Sequence, residues 1–284
     1  IPSVSTKPDH KPDMLRCATW LADQFKFGEF TASVMQTPGH PIVVAKNKHV
    51  PGRPTVLVYG HYDVQPVEPL ELWTTPPFEP TVRKDENGFD AIYARGSADD
   101  KGQVWCHVEA GLAWQAHGGM PINLTYLIEG EEEIGSDNLE AFVKHYAGDL
   151  RADVCVISDT NQFARGLPAL TYGLRGLAYA EIFITGPDHD LHSGLYGGAV
   201  PNPANVLCEL VASFHTDDGR VNIVGFYNDV LDLTPTERAL WTDLPFTEDA
   251  FAKSVGIPHG NGEAGYTSLE RKWARPTLDV NGIT

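Results

Sequence analysis

Along the first 160 residues the apolar positions switch repeatedly between helical and strand spacing. From residue 11 to 26, Met14, Leu15, Ala18, Leu21 and Phe25 recur at intervals of three and four, the stripe of a helix packed on one face, and Lys26, Phe27 and Gly28 end it. Thr31 to Met35 and Ile42 to Ala45 read as short strands. Thr55 to Tyr59 is an unbroken apolar run suited to a buried central strand, and it delivers the chain directly to His61. A hairpin is predicted around Glu86, Asn87 and Gly88, followed by a helix in which Val104, Val108 and Leu112 share one face. Ile122 to Ile128 is a strand, Leu139, Phe142, Val143 and Tyr146 mark a helix, and Val154 to Ile157 is a further strand. Strands and helices alternating at this length imply an α/β layer with a mostly parallel sheet.

Beyond Gly166 the texture changes. Leu177 to Thr185 reads as a long strand, Ala204 to Phe214 as a helix, and Thr234 to Ala252 as shorter helices among loops. A boundary near Thr171 gives two domains, 1–171 and 172–284, each long enough to bury a core.

The net charge of −17 removes the positive footprint that nucleic acid or an anionic membrane requires, so neither is an expected partner. It also raises the question of whether carboxylates gather around cations that the formal count omits. Cys17, Cys106, Cys155 and Cys208 are far apart, with no C-x-x-C spacing, and are expected as buried free thiols in a reducing compartment. No apolar run reaches membrane-spanning length and no charged-then-apolar leader precedes Ile1, so a cytoplasmic protein is expected.

Four polar clusters lie where predicted strands of the first domain end, the edge at which ligands gather in open α/β sheets. In His61-Tyr62-Asp63, residues two apart in an extended segment point the same way, so Asp63 can accept the free ring N–H of His61 and set its tautomer for ligation. Arg95-Gly-Ser-Ala-Asp-Asp-Lys-Gly102 is a polar turn into a helix, where either Asp99 or Asp100 can cap the helix or offer two oxygens to a pair of cations. Glu129-Gly-Glu-Glu-Glu-Ile-Gly-Ser136 follows a buried strand, so its mutual repulsion is costly without cations; adjacent glutamates there can divide metal binding and proton transfer. Ile157-Ser158-Asp159 ends another strand with a carboxylate. Each cluster alone has an ordinary structural explanation, while the four together describe an oxygen-rich site that suits zinc, manganese or cobalt.

Tyr-Gly-His-Tyr-Asp-Val-Gln-Pro (59–66), Thr-Tyr-Gly-Leu-Arg-Gly (171–176) and Asp-Leu-His-Ser-Gly (190–194), in order with the clusters above, resemble the aminoacylase and carnosinase family of dinuclear metallopeptidases, nearest its cytosolic non-specific dipeptidase and carnosinase branch. The resemblance implies a parallel-sheet catalytic domain with an inserted α+β lid and dimerisation domain. It implies two divalent cations, most simply zinc, with Asp99 bridging, His61 and Asp159 on one metal and Glu133 on the other. Glu132 would be general base and then acid, Asp63 would orient His61, and His192 would stabilise the oxyanion, in dimers across to the partner's site. Water would attack a small peptide bond directly, with no covalent enzyme intermediate.

The family also carries a further histidine ligand in a closing catalytic segment beyond the lid, and a helix ahead of Ile1. An internal piece of a longer chain is therefore expected, with Pro276 to Ile283 as a shortened lid strand and activity of the piece in question. Two alternatives stand beside dipeptide hydrolysis: deacylation of N-acyl amino acids by the same constellation, and an inactive metal-binding piece. A serine or cysteine hydrolase is not indicated, since no G-x-S-x-G elbow is present.

Overall fold

In the computed structural model, which describes residues 1–284, the predicted amphipathic stripe forms helix α1, Lys11–Phe27. Pro12 lies in its first turn, where the missing N–H has no intrahelical partner to lose. Met14, Cys17, Ala18, Leu21, Ala22 and Phe25 form its buried face. In chain order there follow β1 (Thr31–Met35), β2 (Ile42–Lys46), β3 (Thr55–His61), β4 (Thr81–Lys84), β5 (Asp90–Tyr93), α2 (Lys101–Ala116), β6 (Asn123–Glu129), α3 (Leu139–His145) and β7 (Val154–Ile157). All of them lie in the first of two compact units, Ile1–Ala169; the second is Leu170–Thr284.

Five of these strands form one sheet in the order β1-β2-β6-β3-β7, and β4 pairs with β5 as the predicted hairpin. The sheet is mixed. β3 lies parallel to both β6 and β7, while the β1–β2 and β2–β6 pairings are antiparallel. The parallel character expected from the alternation therefore belongs to the three strands that lead to the polar clusters.

β6 shows how the sheet is held. Tyr126 and Ile128 point to one face and pack with Val58, Ala45, Phe25 of α1 and Val108 of α2. Leu127, between them, points to the other face and packs with Ile42, Leu150 and Phe142 of α3. A strand covered on both faces carries apolar side chains at successive positions, which is why Tyr126, Leu127 and Ile128 read as a run rather than an alternation.

The second unit contains α4 (Ser193–Tyr196), α5 (Pro203–Ser213), α6 (Pro235–Thr242), α7 (Glu248–Val255) and α8 (Ser268–Trp273). Thr234 with Glu237 and Thr267 with Glu270 form reciprocal capping boxes at the starts of α6 and α8. A buried Glu263 carboxylate accepts two hydrogen bonds from Arg275, at 2.7 and 2.9 Å, and a third from Arg220 at 2.9 Å.

Three expectations need correcting. Leu177 to Thr185 forms no strand: no neighbour takes up its backbone N–H and C=O groups, and Leu177 is 95% and Phe183 82% exposed. Pro276 to Ile283, expected as a shortened lid strand, forms none either, and Val280 and Ile283 are exposed. Of the four thiols only Cys17 is buried; Cys106, Cys155 and Cys208 are exposed. No helix is long and apolar enough to cross a membrane.

Phe25 is fully buried, its ring centroid 4.7 Å from that of Tyr126 and 5.7 Å from that of Phe30. Phe25→Ala is expected to destabilise the first unit by about 3–5 kcal/mol, and Val82→Ala, on the exposed hairpin, by no more than about 0.5 kcal/mol. Urea unfolding of both variants checks this, and equal losses would contradict the assignment of the core.

Candidate metal centre

The parallel register brings the strand ends together. His61 at the end of β3 lies opposite Glu129 at the end of β6, and Tyr59 lies opposite Ile157 at the end of β7, two residues before Asp159. Gly60 and Gly130 make the close packing there possible. A Cβ on Gly60 would stand 2.4 Å from Val104 Cγ2 and 2.8 Å from Asp100 Oδ2, and one on Gly130 would stand 2.4 Å from the hydroxyl of the buried Tyr62.

His61 is wholly buried and is the hub. Its Nδ1 lies 3.2 Å from Asp63 Oδ1 and 3.1 Å from the Asp63 carbonyl oxygen, two acceptors that hold a proton on Nδ1 and leave Nε2 for a ligand. Nε2 faces three carboxylates: Asp99 Oδ1 at 3.2 Å, Asp159 Oδ2 at 3.4 Å and Glu132 Oε2 at 3.8 Å. The donor atoms of His61, Asp99 and Asp159 all lie within 4.8 Å of one another.

The four glutamates of the acidic run after β6 face different partners. Glu129 and Glu131 turn inward. Glu129 Oε1 accepts from the Tyr59 hydroxyl at 2.5 Å and Ser136 Oγ at 2.9 Å, and Glu131 accepts from the His40 backbone N–H and from Asn138. Glu132 and Glu133 occupy a short 3-10 turn, Glu132–Ile134. Glu132 reaches the hub, whereas Glu133 is not among the groups converging on Nε2; its Oε2 accepts from Gln65 Nε2 at 2.7 Å. Asp63 ties this turn to the hub, since its Oδ2 accepts the backbone N–H of Glu133 at 3.1 Å.

Asp63 thus lies on Nδ1 of His61, and Asp99, Asp159 and Glu132 meet at Nε2. His192 lies in the second unit, exposed at the start of α4, where its Nδ1 accepts the backbone N–H of Gly194 at 3.0 Å. Tyr59, Gln65 and Ser136 were given no role by the sequence, and Asp100 was weighed there only as a cap or a cation donor beside Asp99. The two-residue alternation that links His61 to Asp63 runs on to Tyr59 and Gln65, so that signal was present.

The electrostatics describe a site short of positive charge. Burial works against a proton on His61, but the hydrogen bond and charge of Asp63, with the charges of Asp100 and Glu132, outweigh it and hold the imidazole pKa up at about 10. Burial raises the Glu132 carboxyl, and the like charges of Glu133, Asp159 and Asp63 push the same way, against the pull of His61. A like-charge pair at about 4 Å costs between about 1 kcal/mol with full water screening and about 4 kcal/mol at the edge of a protein. One imidazolium proton offsets one of several such charges. A divalent cation offsets two, and a histidine nitrogen with carboxylate oxygens is a donor set that zinc or manganese accepts. The residues present therefore fit a divalent cation.

Asp63→Ala is expected to free two groups at once, the ring of His61 and the backbone N–H of Glu133. A cost of about 1–3 kcal/mol for the stranded donor and faster amide hydrogen exchange at Glu133 are the expected readings. Unchanged exchange there would show that Asp63 does not hold the turn.

Comparison with known proteins bears on the same residues. Residues 57–173 match the profile of Peptidase family M20/M25/M40, and residues 172–284 match that of the Peptidase dimerisation domain. The Cys-Gly metallodipeptidase dug1 of Schizosaccharomyces pombe is 33% identical over 299 residues, covering 100% of this chain and 61% of the relative. The Beta-Ala-His dipeptidase of Homo sapiens is 30% identical, covering 99% and 57%. Among solved structures, the M20 family metallo-carboxypeptidase Sso-CP2 of Sulfolobus solfataricus aligns with a TM-score of 0.79 at 31% identity, over 99% of this chain and 62% of that one. The di-peptidase Dug1p of Saccharomyces cerevisiae aligns with a TM-score of 0.76 at 30% identity, over 99% and 61%. The chain thus spans between 57 and 62% of the length of these four relatives.

Proposed function

The chain belongs to peptidase family M20/M25/M40, and from that premise we propose that it carries the metal-dependent hydrolytic centre of a dipeptidase. The observation that carries this reading is the convergence of Asp99, Asp159 and Glu132 on Nε2 of a buried imidazole whose other nitrogen is held by Asp63. Residues 1–171 form the catalytic domain and 172–284 the lid, through which two copies pair.

Two divalent cations are assigned, zinc before manganese or cobalt, with His61 and Asp159 as ligands of one, Asp99 shared and Glu133 on the other. Such cations, when bound, polarise the scissile carbonyl and make water acidic enough to attack at neutral pH. The remaining work falls to side chains. Glu132, close to the hub yet partly open to solvent, takes the proton of the attacking water and returns it to the departing amine. Asp63 keeps Nε2 of His61 free by holding the proton on Nδ1. Gln65 and the Asp63 carboxylate hold Glu133 at the side chain and at the backbone. His192, in the second unit, is assigned to stabilise negative charge on the substrate oxygen in the site of the partner copy of a dimer. Dipeptides, Cys-Gly among them, are the substrate class, since relatives over the whole chain are named for hydrolysing Cys-Gly and β-Ala-His.

The test is hydrolysis of Cys-Gly and other dipeptides by the zinc- or manganese-loaded protein, beside the variant Glu132→Gln. Loss of about 10²–10⁴ in kcat with the cation retained is expected. Undiminished turnover by the variant would remove Glu132 from its role, and turnover of N-acetyl amino acids with no dipeptide cleaved would replace dipeptide hydrolysis by deacylation.

A further inference from the structure

Asp100 has been given no task so far, although it is the most deeply buried carboxylate of its turn, only 1% exposed. It stands at the N-cap position of α2, the place where an aspartate ordinarily accepts a backbone N–H of the first turn. It does not do so: no side-chain capping bond is made. Oδ2 instead accepts the backbone N–H of His61 at 3.1 Å, from a position 39 residues along the chain. Oδ1 is buried and has no hydrogen-bond partner. Burial raises this carboxyl, the hydrogen bond and charge of His61 pull against that, and the like charges of Asp159 and Asp99 add to the rise.

A buried charged oxygen without a partner is a cost that a stability role does not explain, because an asparagine at this position would accept the same His61 N–H without burying a charge. The cost is explained if the charge acts on something else. Asp100 adjoins one of the converging carboxylates in sequence and feels the other in space, and it grips the backbone of the histidine between them. Ligand shells are oriented and tuned by such partners, whose loss weakens cations without removing a ligand.

We infer that Asp100 is a positioning residue of the cation site: it fixes the His61 backbone through Oδ2 and lends its buried negative charge to raise affinity for a divalent cation, without being a ligand. The inference rests on the reading of His61, Asp99 and Asp159 as ligands.

Titration of the ion-free protein with Co²⁺, followed by visible absorption, tests it in three proteins: wild type, Asp100→Asn and Asp99→Asn. Asp100→Asn is expected to weaken Co²⁺ binding by about 10- to 100-fold while keeping the shape of the absorption spectrum, because the same atoms bind the metal. Asp99→Asn is expected to change that shape. In the ion-free state Asp100→Asn is expected to melt at or above the wild-type temperature. Wild-type affinity in Asp100→Asn, a changed spectrum in it, or its failure to fold would each overturn the inference: the first leaves the charge idle, the second makes Asp100 a ligand, and the third makes it a structural residue. Wild type that takes up no Co²⁺ would instead overturn the ligand reading, and the inference about Asp100 with it.

Discussion

Everything at the candidate centre depends on one electrostatic constraint, the gathering of carboxylates around a single buried imidazole. Asp99, Asp159 and Glu132 lie within 3.8 Å of one nitrogen of His61, and Asp63 holds the other nitrogen. Without positive charge at its centre this arrangement works against folding, because each carboxylate raises the cost of ionising its neighbours. The high pKa of His61 expresses that demand, since the field that retains a proton on the ring is the field that attracts a metal ion. A metal exchanges with that proton, so cation binding and ring ionisation are linked.

The fold meets the constraint with rigid parts. β3, β6 and β7 lie parallel and end at one level, so each chain leaves the sheet carrying its acid or histidine to the same edge. Both faces of β6 are covered by helices, so the strand end that leads to Glu129 cannot shift without disturbing two cores. Glu129 and Glu131 are engaged in hydrogen bonds to Tyr59, Ser136, His40 and Asn138, which anchors the start of the acidic run. Of the two glutamates that follow, Glu132 turns to His61 and Glu133 to Gln65.

Most elements of the first unit were legible in the sequence because they bury a stripe or a run long enough to show its period, as α1 does with Met14, Leu21 and Phe25, while the exposed hairpin was legible from its Glu86-Asn87-Gly88 turn. So was the convergence of His61, Asp99 and Asp159, because residues at the ends of parallel strands share an edge whatever their separation in sequence. The antiparallel pairing of β2 with β6 was not legible, since strand order depends on which faces remain to be covered and no local pattern records it. The strand expected from Leu177 to Thr185 failed for a related reason: apolar residues give β-propensity, but a strand exists only where a neighbour completes its hydrogen bonds. Asp100 was read as a possible cap because the sequence shows its position at the start of α2 and not the direction its carboxylate takes.

The most direct measurement of the central claim is anomalous X-ray diffraction at the zinc edge from crystals grown with zinc. The account predicts an anomalous peak among His61 Nε2, Asp99 and Asp159, at the ~2.0–2.2 Å typical of zinc bonded to nitrogen and oxygen. A zinc-replete crystal with no peak at this place, and His61 still paired only with carboxylates, would contradict it.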